Sequence, residues 1–246
     1  MLSKTIVKYI QSLAYKKFRD EHGVFIAEGP KVVTEFLASA KFACKIVFGT
    51  KIWMDENVDL VNDIPADHKI EISEIELEKI SQLKTPNKVL AVFYKKEENL
   101  VDVTGTVSLM LDEIQDPGNM GTIIRTADWF GIKNIICSNE CADYYNPKVV
   151  QATMGSLARV NIVYDDLERF LKKDLSVKTY AATLSGNNVK NLQKIKDGII
   201  IIGNESKGVS EKVLKLTSEQ ITITKHGKAE SLNAAVACGI ILSHIV

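Results

Sequence analysis

The spacing of apolar residues along the chain changes repeatedly between the intervals typical of helices and those typical of strands. Near the N-terminus, Ile6, Ile10, Leu13 and Phe18 recur at intervals that predict a helix over Ser3–Arg19. The same reasoning predicts strands at Val24–Ala27, Cys44–Phe48 and Val89–Tyr94, a helix from Gly29-Pro30 to Ala38, and a helix opened by the capping-box pattern of Ser73–Glu76 and ended by Thr85-Pro86. A small α/β domain is therefore predicted for this part of the chain.

From Val107 onward, predicted strands and helices alternate. Strands are predicted at Val107–Leu111, Asn134–Cys137, Arg159–Val163, Thr179–Thr183, Gly198–Ile202 and Gln220–Thr224, and helices at Gly121–Phe130, Pro147–Leu157, Leu167–Lys173, Ser210–Leu216 and Ser231–Ile245. The run Ile199–Ile202 is apolar throughout, as expected for a strand covered on both faces. The alternation predicts an α/β domain with a mainly parallel sheet, in which ligands bind at loops leaving the carboxyl ends of strands.

A polar and charged segment, Lys95–Gly105, separates the two regions. We therefore expect a first domain over residues 1–95, a linker over 96–105 and a second domain over 106–246.

Composition is that of an ordinary globular protein, with 46% apolar and 25% charged residues. No apolar run approaches the roughly 18 residues of a membrane span, and the N-terminus lacks the apolar stretch of a secretory signal, so a cytoplasmic protein is expected. The four cysteines and four histidines show no zinc-finger or H-E-x-x-H spacing. Structural thiols and no metal site are expected.

Charge is balanced overall but unevenly distributed. Basic and acidic residues both number 31, which is unusual for a protein whose affinity depends on neutralising phosphates. The N-terminal segment, however, has only basic charges before Asp20: Lys4, Lys8, Lys16, Lys17 and Arg19. This segment is either an RNA-facing patch or the solvated face of a helix.

Three loops at predicted strand ends carry the candidate chemistry. In the first, Asp116–Asn119 makes a turn before a helix, and Arg125 lies one turn inside that helix, able to reach back over the loop. Asn119 is placed either to orient Arg125 or to cap the helix. Alternatively, Asp116–Asn119 is a common turn and Arg125 is a surface residue, neither with a role in a site.

The other two loops follow later strands. Gly203–Gly208 resembles a phosphate loop, but Val209 stands where a Walker lysine would be, and no G-x-G-x-x-G follows a strand, which disfavours nucleotide hydrolysis and dinucleotide binding. Ile221–Asn233 leads into the C-terminal helix, with Ser231 as a candidate N-cap that has either only this role or a role in the site. Nothing in the three loops suggests a Ser-His-Asp arrangement.

In this order and at these strand ends, the three motifs resemble the SpoU branch of the SPOUT methyltransferases, also called the TrmH family. The resemblance includes Asn146–Leu157 and extends over residues 105–246, and Phe25–Val33 is similar to the family's N-terminal substrate-binding domain. It implies a C-terminal SPOUT-type α/β domain with a trefoil knot and a mainly parallel sheet, plus a smaller N-terminal α/β RNA substrate-binding domain. It also implies a homodimer in which two subunits complete the site.

The resemblance further implies S-adenosylmethionine as cofactor and a ribose 2′-hydroxyl of RNA as methyl acceptor. By position, the cofactor-binding residues would be Thr183, Leu184, Ser185, Gly203, Asn204, Glu205, Ile221, Ile223, Ser231, Leu232 and Asn233. The matching catalytic set is Asn119, Arg125, Glu205, Ser231 and Asn233. Because a guanidinium scarcely loses its proton, we expect Arg125, held by Asn119, to stabilise a developing alkoxide or to position the adjacent phosphate.

Some residues depart from the family pattern. Ile223–Lys225 replaces the Ile-Pro-Met of many relatives, and Ser231–Ala237 has alanine where Val-Ser is frequent. The basic C-terminal extension of some tRNA-modifying members is absent, which together with the N-terminal domain favours ribosomal RNA over tRNA.

Two competing functions stay open at this point. A non-catalytic RNA-binding or ribosome-assembly protein with the same fold would not bind S-adenosylmethionine, and a nucleotide-binding regulator would bind ATP or GTP through Gly203–Gly208.

Overall fold

The computed structural model describes residues 2–96, 101–173 and 176–246. The chain divides into two compact units, Met1–Glu97 with Asp143–Ala158, and Glu98–Ala142 with Arg159–Val246. Part of the predicted linker, residues 97–100, lies outside the described residues. The domain limits 1–95, 96–105 and 106–246 stay predictions.

The first unit is built on a four-stranded sheet in the order β1-β4-β2-β3. Its elements up to residue 96 are α1 Lys4–Ser12, α2 Lys16–His22, β1 Val24–Glu28, α3 Pro30–Leu37, β2 Cys44–Gly49, α4 Lys51–Glu56, α5 Val58–Val61, β3 Lys69–Glu71, α6 Glu74–Ile80 and β4 Val89–Tyr94. Strand β4 is antiparallel to both β1 and β2, whereas β3 is parallel to β2. The three predicted strands are confirmed; β3, α4 and α5 are short and were not predicted.

The capping box predicted at Ser73 is confirmed. The Glu76 backbone N–H donates to Ser73 Oγ over 3.3 Å, and the Ser73 N–H donates to Glu76 Oε2 over 3.1 Å. These bonds, with a further one from the Leu2 N–H, lower the pKa of the Glu76 carboxyl to about 2. The α6 helix therefore begins where the sequence pattern places it.

The predicted helix Ser3–Arg19 is instead two helices, because the chain turns between Leu13 and Tyr15. Arg19 is only 1% exposed. Its guanidinium donates to the carbonyl oxygens of Leu13 and Ala14 and forms an ion pair of 2.5 Å with Asp143. The prediction that Arg19 belongs to an RNA-facing patch is therefore wrong: its charge holds this turn together.

The second unit is built on a six-stranded sheet in the order β10-β8-β9-β5-β6-β7, in which all neighbouring strands are parallel. Its elements are β5 Val107–Asp112, α7 Pro117–Trp129, β6 Asn134–Cys137, β7 Asn161–Tyr164, α9 Leu167–Leu171, β8 Thr179–Asn188, β9 Gly198–Gly203, α10 Glu211–Leu214, β10 Glu219–Thr222 and α11 Ala234–Ile245. Ile199–Ile202 is almost wholly buried, because β9 lies between β8 and β5. The predicted parallel sheet is confirmed.

Helix α7 begins earlier than predicted, at Pro117 rather than Gly121. Asp116 is its N-cap, accepting a hydrogen bond from the Asn119 N–H over 2.8 Å, and Pro117 occupies the first turn, where a missing N–H costs nothing. Arg125 therefore lies two turns inside the helix rather than one.

Helix α8 (Pro147–Thr153) packs in the first unit, although it follows β6 in the chain. Val149, Val150 and Thr153 form its buried face. Tyr145, just before the helix, packs its ring against Phe25 at 4.7 Å between centroids and accepts a hydrogen bond from the Lys96 N–H.

Within the described ranges, no helix has the length and apolar character needed to cross a membrane. The trefoil knot implied by the resemblance stays a prediction.

Candidate functional site

The loops singled out in the sequence follow neighbouring strands. Strands β10, β8, β9 and β5 are adjacent and run in the same direction, so their carboxyl ends meet at one edge of the sheet. This edge is where open parallel sheets bind ligands.

An open cleft of about 900 Å³ lies beside the middle of β8 and the carboxyl ends of β9 and β10, a size typical of small-molecule sites. The predicted cofactor-binding residues that line it are Thr183, Leu184, Gly203, Asn204, Glu205, Ile221, Ile223, Ser231 and Leu232. Of the other predicted site residues, all of them in described parts of the chain, Ser185, Asn233, Asn119 and Arg125 are not among those lining the cleft. The structure thus brings together most of a set spread over fifty residues of sequence.

The loop after β9 is fixed by its own backbone. The Asn204 N–H donates to the Gly208 carbonyl over 3.1 Å, and the Gly208 N–H donates back over 2.9 Å. A Cβ on Gly203 would lie 2.2 Å from both the Gly208 carbonyl carbon and the Val209 nitrogen. Only glycine fits at position 203, because a side chain there would meet backbone on the other side of the loop.

The side chain of Asn204 bonds to the protein rather than standing open in the cleft. Its Nδ2 donates to the Glu113 carbonyl over 2.9 Å, and its Oδ1 accepts from the N–H groups of Ser206 and Lys207. Asn204 thereby joins the loop after β9 to the end of β5.

Three predicted catalytic residues from three separate loops form one hydrogen-bonded chain. Asn119 Nδ2 donates to Glu205 Oε1 over 2.5 Å, and Asn233 Nδ2 donates to Asn119 Oδ1 over 2.7 Å. The amide of Asn119 therefore connects the start of α7 to the β9 loop and to the start of α11.

Asn233, not Ser231, is the N-cap of α11. Its Oδ1 accepts from the N–H groups of Ala235 and Val236 over 3.0 and 3.2 Å. The predicted capping role of Ser231 is wrong, since the chain becomes helical three residues later; Ser231 is an exposed residue on the cleft wall. Capping by Asn119 is also wrong, because Asp116 occupies that position.

Arg125 is exposed on α7. In the part of the chain that the structure describes it forms no hydrogen bond or ion pair, so the expected contact with Asn119 is absent from a single chain. Trp129 lies one helical turn further along the same face of α7 and is 85% exposed.

The cleft also has residues that the sequence interpretation did not select. Lys207, Lys225 and His226 bring positive or titratable groups to its wall. Lys207 Nζ forms an ion pair of 3.0 Å with Glu113, which has a positive φ of 56° directly after β5. All three lie inside the loops singled out in the sequence, but nothing in their spacing distinguishes them from ordinary surface residues exposed to solvent.

The thiols do not form a reactive site at this cleft. The four cysteines, all in described parts of the chain, form no disulfide, and burial raises the pKa of Cys238 on α11 to about 12. In the first unit, burial likewise raises the pKa of Cys44 to about 12. Among the residues described, no cluster of three or more His, Cys, Asp or Glu side chains is arranged to hold a metal ion.

Two family models match the chain. Residues 106–243 match the SpoU rRNA Methylase family, and residues 4–91 match the MRM3-like substrate binding domain.

Proteins of known name are similar over nearly the full chain. The 23S rRNA (guanosine(2553)-2′-O)-methyltransferase RlmP of Bacillus subtilis (strain 168) is 32% identical over 250 residues, covering 97% of this chain and 95% of RlmP. The solved structure of a TrmH-family RNA methyltransferase from Porphyromonas gingivalis superposes with a TM-score of 0.88 at 34% identity, covering 99% of this chain and 98% of that one. An AdoMet-bound rRNA methyltransferase from Sinorhizobium meliloti gives a TM-score of 0.87 at 30% identity, with coverages of 99% and 95%. These similarities confirm the predicted fold class of a SPOUT-type domain joined to a smaller N-terminal α/β domain.

Proposed function

Because the chain belongs to the SpoU rRNA methylase family, we propose that it transfers the methyl group of S-adenosylmethionine to a ribose 2′-hydroxyl of ribosomal RNA. Its class as an S-adenosylmethionine-dependent RNA methyltransferase follows from that membership and from relatives that carry this activity and this cofactor. The observation that carries the proposal is the Glu205–Asn119–Asn233 chain of hydrogen bonds, which joins the loop after β9, the start of α7 and the start of α11.

The cleft fits the cofactor in size and in chemistry. Its wall includes Leu184, which is 80% exposed, and Leu232, which is 46% exposed. Apolar side chains open at a cleft mouth are suited to covering the flat face of an adenine ring, while polar groups fix the charged end. When bound, the cofactor supplies a methyl group on a positively charged sulfur.

The residues of the chain then have to align the acceptor oxygen and control its charge. We assign Arg125 to the developing alkoxide of the ribose, or to the phosphate beside it, since its guanidinium keeps its proton and donates hydrogen bonds in a fixed planar fork. Asn119 and Asn233 orient Glu205 through the bonds described above, and Glu205 in turn shapes the cleft wall next to the ribose.

A homodimer is the second part of the proposal, because Arg125 is not a lining residue of the cleft in one chain. Trp129 on α7 and Val236 on α11 are large apolar side chains left 85% and 51% exposed, and these two helices pack against each other. A second copy covering this surface would bury both side chains and bring a second Arg125 to the site.

The dimer is tested by measuring mass in solution with light scattering. The unmodified chain is expected to have twice the mass of 27.3 kDa, and Trp129→Glu to shift it toward the monomer, since a carboxylate there would be buried without a partner. Lys133→Glu, an exposed change just beyond α7, is the control and should stay dimeric. A monomeric unmodified chain would contradict this part of the proposal.

Ribosomal RNA is proposed over tRNA because the similar RlmP is named as a 23S rRNA methyltransferase and because residues 4–91 match the MRM3-like substrate binding domain. A cytoplasmic location is proposed on the same basis, as the place where a bacterial enzyme meets that RNA.

The activity is tested with purified protein, labelled S-adenosylmethionine and ribosomal RNA from cells lacking the gene. Transfer to a ribose 2′-hydroxyl is expected, and Arg125→Ala should lose roughly 10²–10³-fold in turnover while cofactor affinity is kept. Arg125→Lys keeps the charge without the planar fork, and is expected to recover only part of the loss. Titration that shows no cofactor binding by the unmodified protein would favour a non-catalytic RNA-binding protein.

A further inference from the structure

A group of aromatic and basic side chains forms one connected surface on the first unit. It consists of Tyr9 on α1, His22 at the end of α2, Lys45 on β2 and Tyr94 at the end of β4; we call it the Tyr94 surface. The rings of Tyr9 and His22 meet edge to face at 5.2 Å between centroids. The ammonium group of Lys45 lies 5.3 Å from the Tyr9 ring centroid and 5.7 Å from that of Tyr94.

The local backbone explains why Lys45 reaches both tyrosines. In the pairing of β2 with β4, Cys44 lies opposite Phe93 and Ile46 opposite Val92, so Lys45 is the extra residue of a β-bulge. A bulge redirects the side chain of the inserted residue and interrupts the regular alternation of faces. This irregularity places a cation between two rings from different elements.

The Tyr94 surface is accessible. Tyr94 is 44% exposed and His22 is exposed, while Tyr9 and Lys45 are partly buried. One of the three ammonium N–H groups of Lys45 is donated to the Tyr9 hydroxyl over 3.1 Å. The others face no acceptor that the structure describes.

The charge around this surface favours an anionic partner. Helix α1 adds the exposed Lys4 and Lys8 and has no acidic residue. Of the two acids that precede His22 in α2, Asp20 is paired with Lys95 at 2.5 Å and Glu21 is exposed, so the basic groups of this surface outnumber the acidic ones.

We propose that the Tyr94 surface binds unpaired nucleotides of the RNA substrate, with a base stacked on the Tyr94 ring and the neighbouring phosphate at Lys45. The inference rests on the proposed function and adds to it the form of the RNA that is recognised. Stacking on exposed aromatic rings beside lysines is how proteins hold single-stranded nucleic acid, since every base has a flat face and every linkage a charge. A double helix keeps its bases stacked on each other and offers none to Tyr94.

The test measures binding of the full chain to two fluorescent RNAs by anisotropy: a mixed-sequence single strand of about 16 nucleotides, the size of a typical single-strand site, and a blunt duplex of the same sequence. Tyr94→Leu keeps an apolar side chain but removes the ring, and should weaken single-strand binding roughly 5- to 100-fold while leaving duplex binding unchanged. Tyr94→Phe keeps the ring and should bind as the unmodified chain does. Lys45→Met should lower the salt slope of single-strand binding by about 0.7, the value for one phosphate contact.

Two controls separate this surface from general effects. Tyr15→Leu removes another exposed ring of the same unit, and Lys84→Met removes another exposed charge; both should bind the single strand normally. Thermal unfolding of each variant checks that the unit is intact.

The proposal is overturned if Tyr94→Leu binds the single strand as tightly as the unmodified chain or if it weakens binding of both RNAs equally. It is overturned as well if Tyr15→Leu weakens single-strand binding as much as Tyr94→Leu does. It is also overturned if the unmodified chain binds neither RNA. Methyl transfer and cofactor titration are run on the same samples. If the unmodified protein transfers methyl groups while Tyr94→Leu binds the single strand normally, only the role of the Tyr94 surface is rejected. If the unmodified protein does not bind the cofactor, the proposed function is rejected.

Discussion

Replacing Gly203 with alanine tests whether the loop after β9 must keep its observed path for the cofactor to bind. The new Cβ would lie 2.2 Å from the Gly208 carbonyl carbon and 2.4 Å from its oxygen. These are backbone atoms, so no side chain can rotate out of the way. The two sides of the loop have to separate by about 1 Å or more before ordinary contact distances return.

The cost of that separation follows from the bonds it breaks. The paired hydrogen bonds between Asn204 and Gly208 would open, and Val209, which is buried, would move with them. The next residue, Ser210, donates its N–H to the buried carboxylate of Asp112 over 2.8 Å, and that bond would also lengthen. Overpacking and weakened hydrogen bonds together predict a loss of about 2–4 kcal/mol in the free energy of unfolding.

The assay combines urea unfolding with cofactor titration. Gly203→Ala should lower the unfolding free energy as stated and raise the dissociation constant for S-adenosylmethionine at least tenfold, about 1.4 kcal/mol, because the displaced loop forms one wall of the cleft. Gly227→Ala is the matched control for stability: it lies on the same cleft, but its Cβ would have nothing within 4 Å. If Gly203→Ala unfolds and binds the cofactor like the unmodified chain, the loop is not rigid and the argument fails.

Two further predictions concern single side chains. Asn119→Ala should reduce methyl transfer about 10²-fold, because the substitution removes the hydrogen bond that orients Glu205. Cofactor affinity should change little, because Asn119 does not line the cleft. Single-turnover kinetics and cofactor titration check this, and an equal loss of methyl transfer and of cofactor affinity would contradict it. In the first unit, burial and the charge of Lys96 lower the pKa of Lys41 to about 8. Since an unfolded lysine, with a pKa of about 10.4, still holds its proton where the folded one has lost it, Lys41 should make the free energy of unfolding rise between pH 8 and 10. Urea unfolding across that range should show a smaller rise in Lys41→Met, and an identical pH dependence in both proteins would refute the assignment.

The parallel sheet could be predicted because the apolar pattern of its strands is local and recurs along the chain. Ile199–Ile202 is apolar at each position since β9 is covered on both faces, and that pattern is visible without any knowledge of neighbours. The packing of α8 with the first unit could not be predicted in the same way. Its buried residues Val149 and Val150 show that the helix has an apolar face, but an apolar face does not specify which sheet it meets.

The residues at which helices begin could also be predicted only in part. Ser231 and Asn233 are both good N-cap residue types, and only the structure shows that Asn233 Oδ1 accepts hydrogen bonds from the N–H groups of Ala235 and Val236. At α7, by contrast, Asp116 followed by Pro117 is a recognisable start that the pattern of apolar residues alone placed too late.

The position of Arg125 explains why a single chain gives only part of the candidate site. Arg125 follows Asn119 by six residues in α7, a spacing that puts the two side chains on different faces of the helix, and both polar atoms of the Asn119 amide are bonded to Glu205 and Asn233. Arg125 instead shares its face of α7 with Trp129, which is 85% exposed. Removing this apolar surface from water against a partner would be favourable. If a second copy packs against α7, it covers the Trp129 ring and also brings the Arg125 guanidinium to a cleft. The proposed dimer and the proposed role of Arg125 therefore depend on each other: a variant such as Trp129→Glu that separates the subunits should lose methyl transfer even though each cleft keeps every residue that lines it.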